Sequence, residues 1–141
     1  MIVITGLHHV SLPVTNLERS RAFYRDVLGL REIPRPGFDF AGAWFAVGDR
    51  QLHLIVHEGA QHAAPPRDAA RGIDSHDRHV ALRVKSYRDT VAHLRSRGYR
   101  EDAADETKRL RENPAGKAGF PQVFILDPDR HVIELNAERV D

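Results

Sequence analysis

Cysteine is absent from the 141-residue chain, which removes disulfides, thiolate nucleophiles and zinc-finger sites together. No apolar run approaches the roughly twenty residues a membrane-crossing helix needs, so a membrane is not among the expected partners. An excess of one charge sign is missing as well. The 21 Lys and Arg face 20 Asp and Glu for a net charge of +1, and the signs are interspersed, so nothing draws the chain in bulk to nucleic acid. The opening MIVITGL is apolar but short and has no basic flank, and it reads as a first strand rather than a signal peptide. The cytoplasm is the expected compartment, although a lack of cysteine is compatible with others.

Against these absences stand nine histidines. Any metal site must be built from their nitrogens and from carboxylate oxygens. The 41% apolar content suffices to fill one compact domain, or two small modules sharing a core.

LHHVSLPV alternates with the strand period, Val10, Leu12 and Val14 lying on one face. Thr15 or Asn16 then caps a helix with an apolar stripe of Leu17, Ala22, Phe23, Tyr24, Val27 and Leu28, ended by Gly29. Phe23 and Tyr24 read as core packing. Strands follow around Arg31–Ile33, Ala43–Val47 and Gln51–Val56, with turns at PRPG and VGDR. Residues 57–77 lack apolar periodicity. The same order then returns: RHVALRV is a strand, Ser86 caps YRDTVAHLRSRG, and PQVFIL and HVIELN flank a DPDR turn. A shift of 70 residues superposes His9 on His79, Val10 on Val80, Leu12 on Leu82 and Val14 on Val84. With a few extra residues allowed, Asp49-Arg50 meets Asp129-Arg130 and His53 meets Glu134. Duplication is the reading, with module one at 1–58, a linker at 59–76 and module two at 77–141. Each module is a strand, a helix and two or three further strands. The helix covers one sheet face, and the other face needs a partner or a cavity.

Side-chain parity selects what that second face carries. Opposite the apolar sets lie His9 and Ser11; Gln51, His53 and Ile55; His79, Ala81 and Arg83; and Val132, Glu134 and Asn136. His8 shares the apolar parity and is disfavoured as a ligand. Four strands thus each offer one donor, His9, His53, His79 or Glu134. Three imidazoles and a carboxylate suit Fe, Co, Ni, Zn or Mn better than Ca or Mg. Gln51, Arg83 and Asn136 are candidate substrate-binding or orienting groups, and Glu134 is the candidate catalytic carboxylate. The segment from Glu101 to Gly119, with Lys108, Arg109, Arg111 and Lys117, reads as a loop, either a solvated face or a closure over a ligand.

From HHVSLPVTNLERSRAFYRDVLGL through RQLHLIV and RHVALRV to DPDRHVIELN, the chain resembles the glyoxalase, bleomycin-resistance and extradiol-dioxygenase (vicinal oxygen chelate) superfamily. The resemblance implies an α+β fold in which paired βαβββ modules form a curved mixed sheet around a metal-binding cavity, helices on the convex face. It implies a divalent transition metal held at the positions of His9, His53, His79 and Glu134, a small-molecule substrate engaged through adjacent oxygens, and a homodimer. One departure is informative: lactoylglutathione lyases of this superfamily usually carry Glu where this chain has His53, which removes a candidate base and makes the site one charge more positive. The expected activity is that of a metal-dependent lyase, isomerase or related enzyme. The alternatives are an extradiol-type iron dioxygenase and a bleomycin-resistance-like binding protein.

Overall fold

A computed structural model describes residues 1–57 and 72–141. The chain divides into two compact units, residues 1–63 and 64–141, and each is a βαβββ module. The linker read at 59–76 lies outside the described residues as far as position 71. Its described end packs on the second unit, where Ile73 lies against Phe124, Leu126 and Val132 and its carbonyl accepts from Arg111 Nη1 at 3.1 Å.

In the first unit, β1 (His9–Val14) leads into α1 (Leu17–Ala22), which continues as a π-helical turn over Phe23–Val27, and then into β2 (Arg31–Ile33), β3 (Gly42–Val47) and β4 (Arg50–Val56). Of the two candidate caps, Asn16 is the one used: its Oδ1 accepts from the Arg19 amide at 3.0 Å, satisfying one of the helix's free donors. Gly29, at φ +69°, turns the chain out of the helix in a conformation that strains any residue with a Cβ. The sheet order is β1-β4-β3-β2, with β1 parallel to β4 and the other pairs antiparallel. Leu12, Val14, Phe23, Tyr24, Ala43, Phe45, Leu52 and Leu54 are buried as its core. A Leu or Phe taken fully out of water contributes about 1.5–3 kcal/mol, and here the contribution falls on the parity set expected to face the helix.

The second unit repeats this with β5 (His79–Arg83), α2 (Tyr87–Ser96), β6 (Leu110–Asn113), β7 (Gln122–Leu126) and β8 (Val132–Asn136), in the order β5-β8-β7-β6 with β5 parallel to β8. The duplication extends to register. Ser11 is the partner of His53, and Ala81 is the partner of Glu134. In both units the fourth-strand donor thus sits opposite the residue two places after the first-strand histidine.

Two expectations are corrected. MIVITGL forms no strand: β1 begins at His9, and Met1, Ile2, Val3, Ile4 and Leu7 are exposed. An apolar composition suits a strand, but a strand exists only where a ladder partner exists, and among the described residues no strand pairs with these. The segment 101–119 is not one loop. It holds a 3₁₀ turn over Glu106–Lys108 and then β6, which pairs with β7 from Leu110↔Ile125 to Asn113↔Gln122. β6 is an edge strand with only Leu110 buried, so its charged LREN lacks the alternation of a half-buried strand. Glu112 ties it to the helix by accepting from Tyr87 Oη at 2.9 Å and Arg95 Nη2 at 2.6 Å.

The N-terminus of α2 is held from two places. Ser86 Oγ accepts from the Asp89 amide at 2.9 Å, while Asp141 Oδ1 accepts from the amides of Tyr87 and Arg88 at 3.0 and 3.2 Å. Hydrogen bonds from Ser86 and these amides pull the Asp141 carboxyl from 3.8 down to about 2. A depressed carboxylate stabilises the fold above its unfolded pKa, and that contribution is lost as pH falls from about 4 through about 2. Asp141→Asn should therefore lower the thermal midpoint at pH 6, with the gap to the parent closing towards pH 2. A gap that stays constant over that range in scanning calorimetry would contradict the assignment.

Candidate metal centre

In the second unit the polar face is laid out row by row across the ladder. Ala81, Glu134 and Phe124 form one row, and Arg83, Asn136, Gln122 and Asn113 form the next. His79 lies two residues before Ala81, on the same face as Glu134. Its Nδ1 is 2.8 Å from the Asp77 carbonyl. A carbonyl only accepts, so Nδ1 carries the hydrogen and Nε2 is the free corner of the ring. That Nε2 lies 3.3 Å from Glu134 Oε2. Glu134 is only 4% exposed, and its other oxygen, Oε1, accepts from Asn136 Nδ2 at 2.7 Å.

This geometry has a direct electrostatic reading. A buried carboxylate without a cation is costly, and among the described residues the ion-pair partner of Glu134 is His79. Two lone pairs facing each other repel, so the space between Nε2 and Oε2 calls for a positive charge, either a proton or a metal ion. The backbone hydrogen bond at Nδ1 fixes the tautomer that exposes Nε2, and the amide hydrogen bond at Oε1 orients the carboxylate; both are habitual supports of metal ligands. The donors fit a divalent transition metal. Asn136, expected at the substrate, is committed to Glu134. Arg83 lies over the Phe120 ring at 5.0 Å, exposed and without a carboxylate partner among the described residues.

The first unit brings its two donors together differently. The His9 and His53 rings stack at 4.2 Å with 14° between planes, and Trp44 covers the other face of His53 at 4.1 Å and 5°. His53 Nε2 donates to Gln51 Oε1 at 2.8 Å, leaving Nδ1 as the acceptor corner. His9 Nδ1 is 2.8 Å from His8 Nδ1, so one of the two rings carries the shared hydrogen and His9 Nε2 remains open. Burial, aided by His9, His8 and Arg35, pushes the His53 pKa below its usual value, which keeps its imidazole neutral and its lone pair available at pH 7. For both rings to bind one ion they would turn from face contact to edge contact, and Gln51 would release Nε2 or stay while Nδ1 binds.

Each unit thus assembles two of the four expected donors, and among the described residues no three His, Asp or Glu side chains gather into a complete shell. Sequence reasoning missed two neighbours. Trp44 was within reach of it, because the two-residue Gly48-Asp49 turn pairs Val47 with Arg50 and so sets Trp44 opposite His53. His8 was set aside on parity, yet it precedes the strand, where parity does not apply, and it orients His9.

The family model described as Glyoxalase/Bleomycin resistance protein/Dioxygenase superfamily matches residues 6–135. The chain belongs to this superfamily. Among curated proteins, the superfamily member is 29% identical over 133 residues to "Glyoxylase I 4" of Arabidopsis thaliana, covering 94% of this chain and 70% of that one. It is 28% identical to the Synechocystis protein named "Probable lactoylglutathione lyase", covering 92% of each. Its fold is shared with a Bacillus anthracis protein described as a glyoxalase family member, at a TM-score of 0.74 and 23% identity over 97% of this chain and 98% of that one. Members of the superfamily use divalent metals, bind small-molecule substrates and commonly form dimers. No helix among the described residues is long and apolar enough to cross a membrane.

If His79 and Glu134 are ligands, equilibrium dialysis of folded protein against Mn, Co, Ni or Zn should show His79→Ala and Glu134→Gln losing metal affinity by about 100-fold or more. Asn136→Leu, which removes only the support of Glu134, should lose about 10-fold, and His8→Ala less than that. Equal occupancy in His79→Ala and the parent would reject His79 as a ligand.

Proposed function

We propose that this chain is a divalent-metal-dependent enzyme of the lyase or isomerase type, acting on a small substrate through two adjacent oxygens. The observation that carries the reading is the buried Glu134 carboxylate, one oxygen held by Asn136 and the other facing the free nitrogen of His79. His79, Glu134, His9 and His53 would hold the ion, whether from one chain or from two in a homodimer. When bound, the ion supplies Lewis acidity that stabilises negative charge developing on the substrate oxygens.

The chain's own residues have separate tasks. Glu134 is the only carboxylate in the donor set and is the group to take a proton from the substrate carbon and return it. Asn136 keeps Oε1 occupied, so Oε2 is where the proton would move, once that oxygen loosens from the ion. The Asp77 carbonyl and Gln51 hold the tautomers of His79 and His53. Arg83, exposed next to Asn136 in the same row, would bind an anionic group of the substrate while its guanidinium rests on Phe120. The cytoplasm is the compartment we propose.

The similarity to a protein named as a lactoylglutathione lyase favours lyase chemistry, whereas His53 in place of the usual Glu argues for a different substrate. The methylglyoxal–glutathione hemithioacetal should therefore be turned over slowly by the parent, at least 100-fold below a two-glutamate enzyme, and His53→Glu should raise that rate while shifting metal preference. Efficient turnover by the parent that is unchanged in His53→Glu and His53→Ala would overturn the use made of position 53. Metal-dependent oxygen consumption with a catechol would instead assign the dioxygenase branch.

A further inference from the structure

The β2–β3 connection carries two large aromatic side chains in water, Phe38 at 46% and Phe40 at 41% exposure. They are not scattered. Their rings stack at 5.1 Å, and the Arg35 guanidinium lies 4.6 and 4.8 Å from their centroids. Phe38 also tilts against Trp44 at 6.1 Å, whose far side continues the stack through His53 to His9. A row of π faces therefore runs from the exposed connection to the first-unit histidines.

Arg35 is seated rather than dangling. Its Nη2 donates to the Phe40 carbonyl at 2.9 Å. The guanidinium also lies along the backbone at Gly42, where an added Cβ would stand 2.4 Å from the Leu54 carbonyl oxygen and 3.2 Å from Arg35 Nε. A guanidinium has five donors in a planar fork, and among the described residues only this one carbonyl accepts from it. No carboxylate pairs with it among the described residues, not even Asp39, which lies between the two phenylalanines in the chain. A cation with unused donors, fixed against exposed flat rings, matches a ligand that is itself flat and negatively charged. A bare phosphate would use the cation and leave the rings idle. An uncharged arene would do the reverse.

We propose that Arg35, Phe38, Phe40 and Trp44 form a binding site for a planar aromatic anion of the aryl carboxylate class, its ring on the phenylalanines and its carboxylate on Arg35. The site lies wholly within the first unit and needs no metal, so it stands or falls separately from the reading of Glu134. Trp44 is the single tryptophan of the chain, and its fluorescence reports this site directly. In full-length, chelator-treated protein, benzoate should give a saturable change in Trp44 emission, with cyclohexanecarboxylate and benzamide at least 10-fold weaker. Arg35→Gln should weaken benzoate about 10-fold or more while leaving benzamide unchanged. Phe40→Leu should weaken benzoate and benzamide together, and circular dichroism of each variant checks the fold. The absence of a saturable benzoate response, equal affinity for cyclohexanecarboxylate, or parent-like benzoate binding by folded Arg35→Gln would each overturn the proposal.

Discussion

In each unit the first strand pairs in parallel with the last, and a parallel pair can be closed only by a long crossover. The helix and two further strands supply that crossover, and the pairing fixes what meets at the site. Because β1 lies beside β4 and β5 beside β8, residues far apart in the chain share one face. His9 reaches His53 by this route, as His79 reaches Glu134. The register is the same in both units, so one ladder geometry used twice presents two pairs of donors.

The two pairs are chemically unequal. In the second unit a buried carboxylate faces an imidazole nitrogen, and its supporting contacts, an amide on one oxygen and a carbonyl on the far ring nitrogen, leave a gap that suits a positive charge. In the first unit the imidazoles are partners in an aromatic stack that includes Trp44, and burial, aided by Arg35 among others, lowers the His53 pKa. Low dielectric raises the cost of an unpaired charge, so the second unit has the stronger electrostatic demand for a cation. The first unit contributes lone pairs and flat surface.

The same logic separates the supports from the groups they support. Asn136 and Gln51 share parity with the donors, which made them candidates for touching substrate, yet each is within hydrogen-bond distance of the donor two residues away on its own strand. Arg83, without a carboxylate partner among the described residues, keeps its charge at the exposed end of the same face.

Alternation in β1, β4, β5 and β8, a cap at Thr15 or Asn16, the Ser86 cap and the 70-residue repeat were all legible along the chain. Each is a local property: strand side chains change faces every residue, and a cap needs only the next three positions. What needed the tertiary structure was whatever depends on a neighbour across the ladder. β6 carries too little alternation to announce itself at an edge, and MIVITGL has strand composition but no partner among the described residues. The stacking of Trp44 on His53 joins two strands and the seating of Arg35 against Gly42 joins opposite sides of a turn, while the commitment of Asn136 to Glu134, two residues apart on one face of β8, depends on the rotamers both adopt. The sequence by itself determined which face each donor lies on, because parity is a property of one strand. Only the tertiary structure decided which nitrogen and which oxygen confront each other, because that depends on the hydrogen bonds neighbouring groups have already taken.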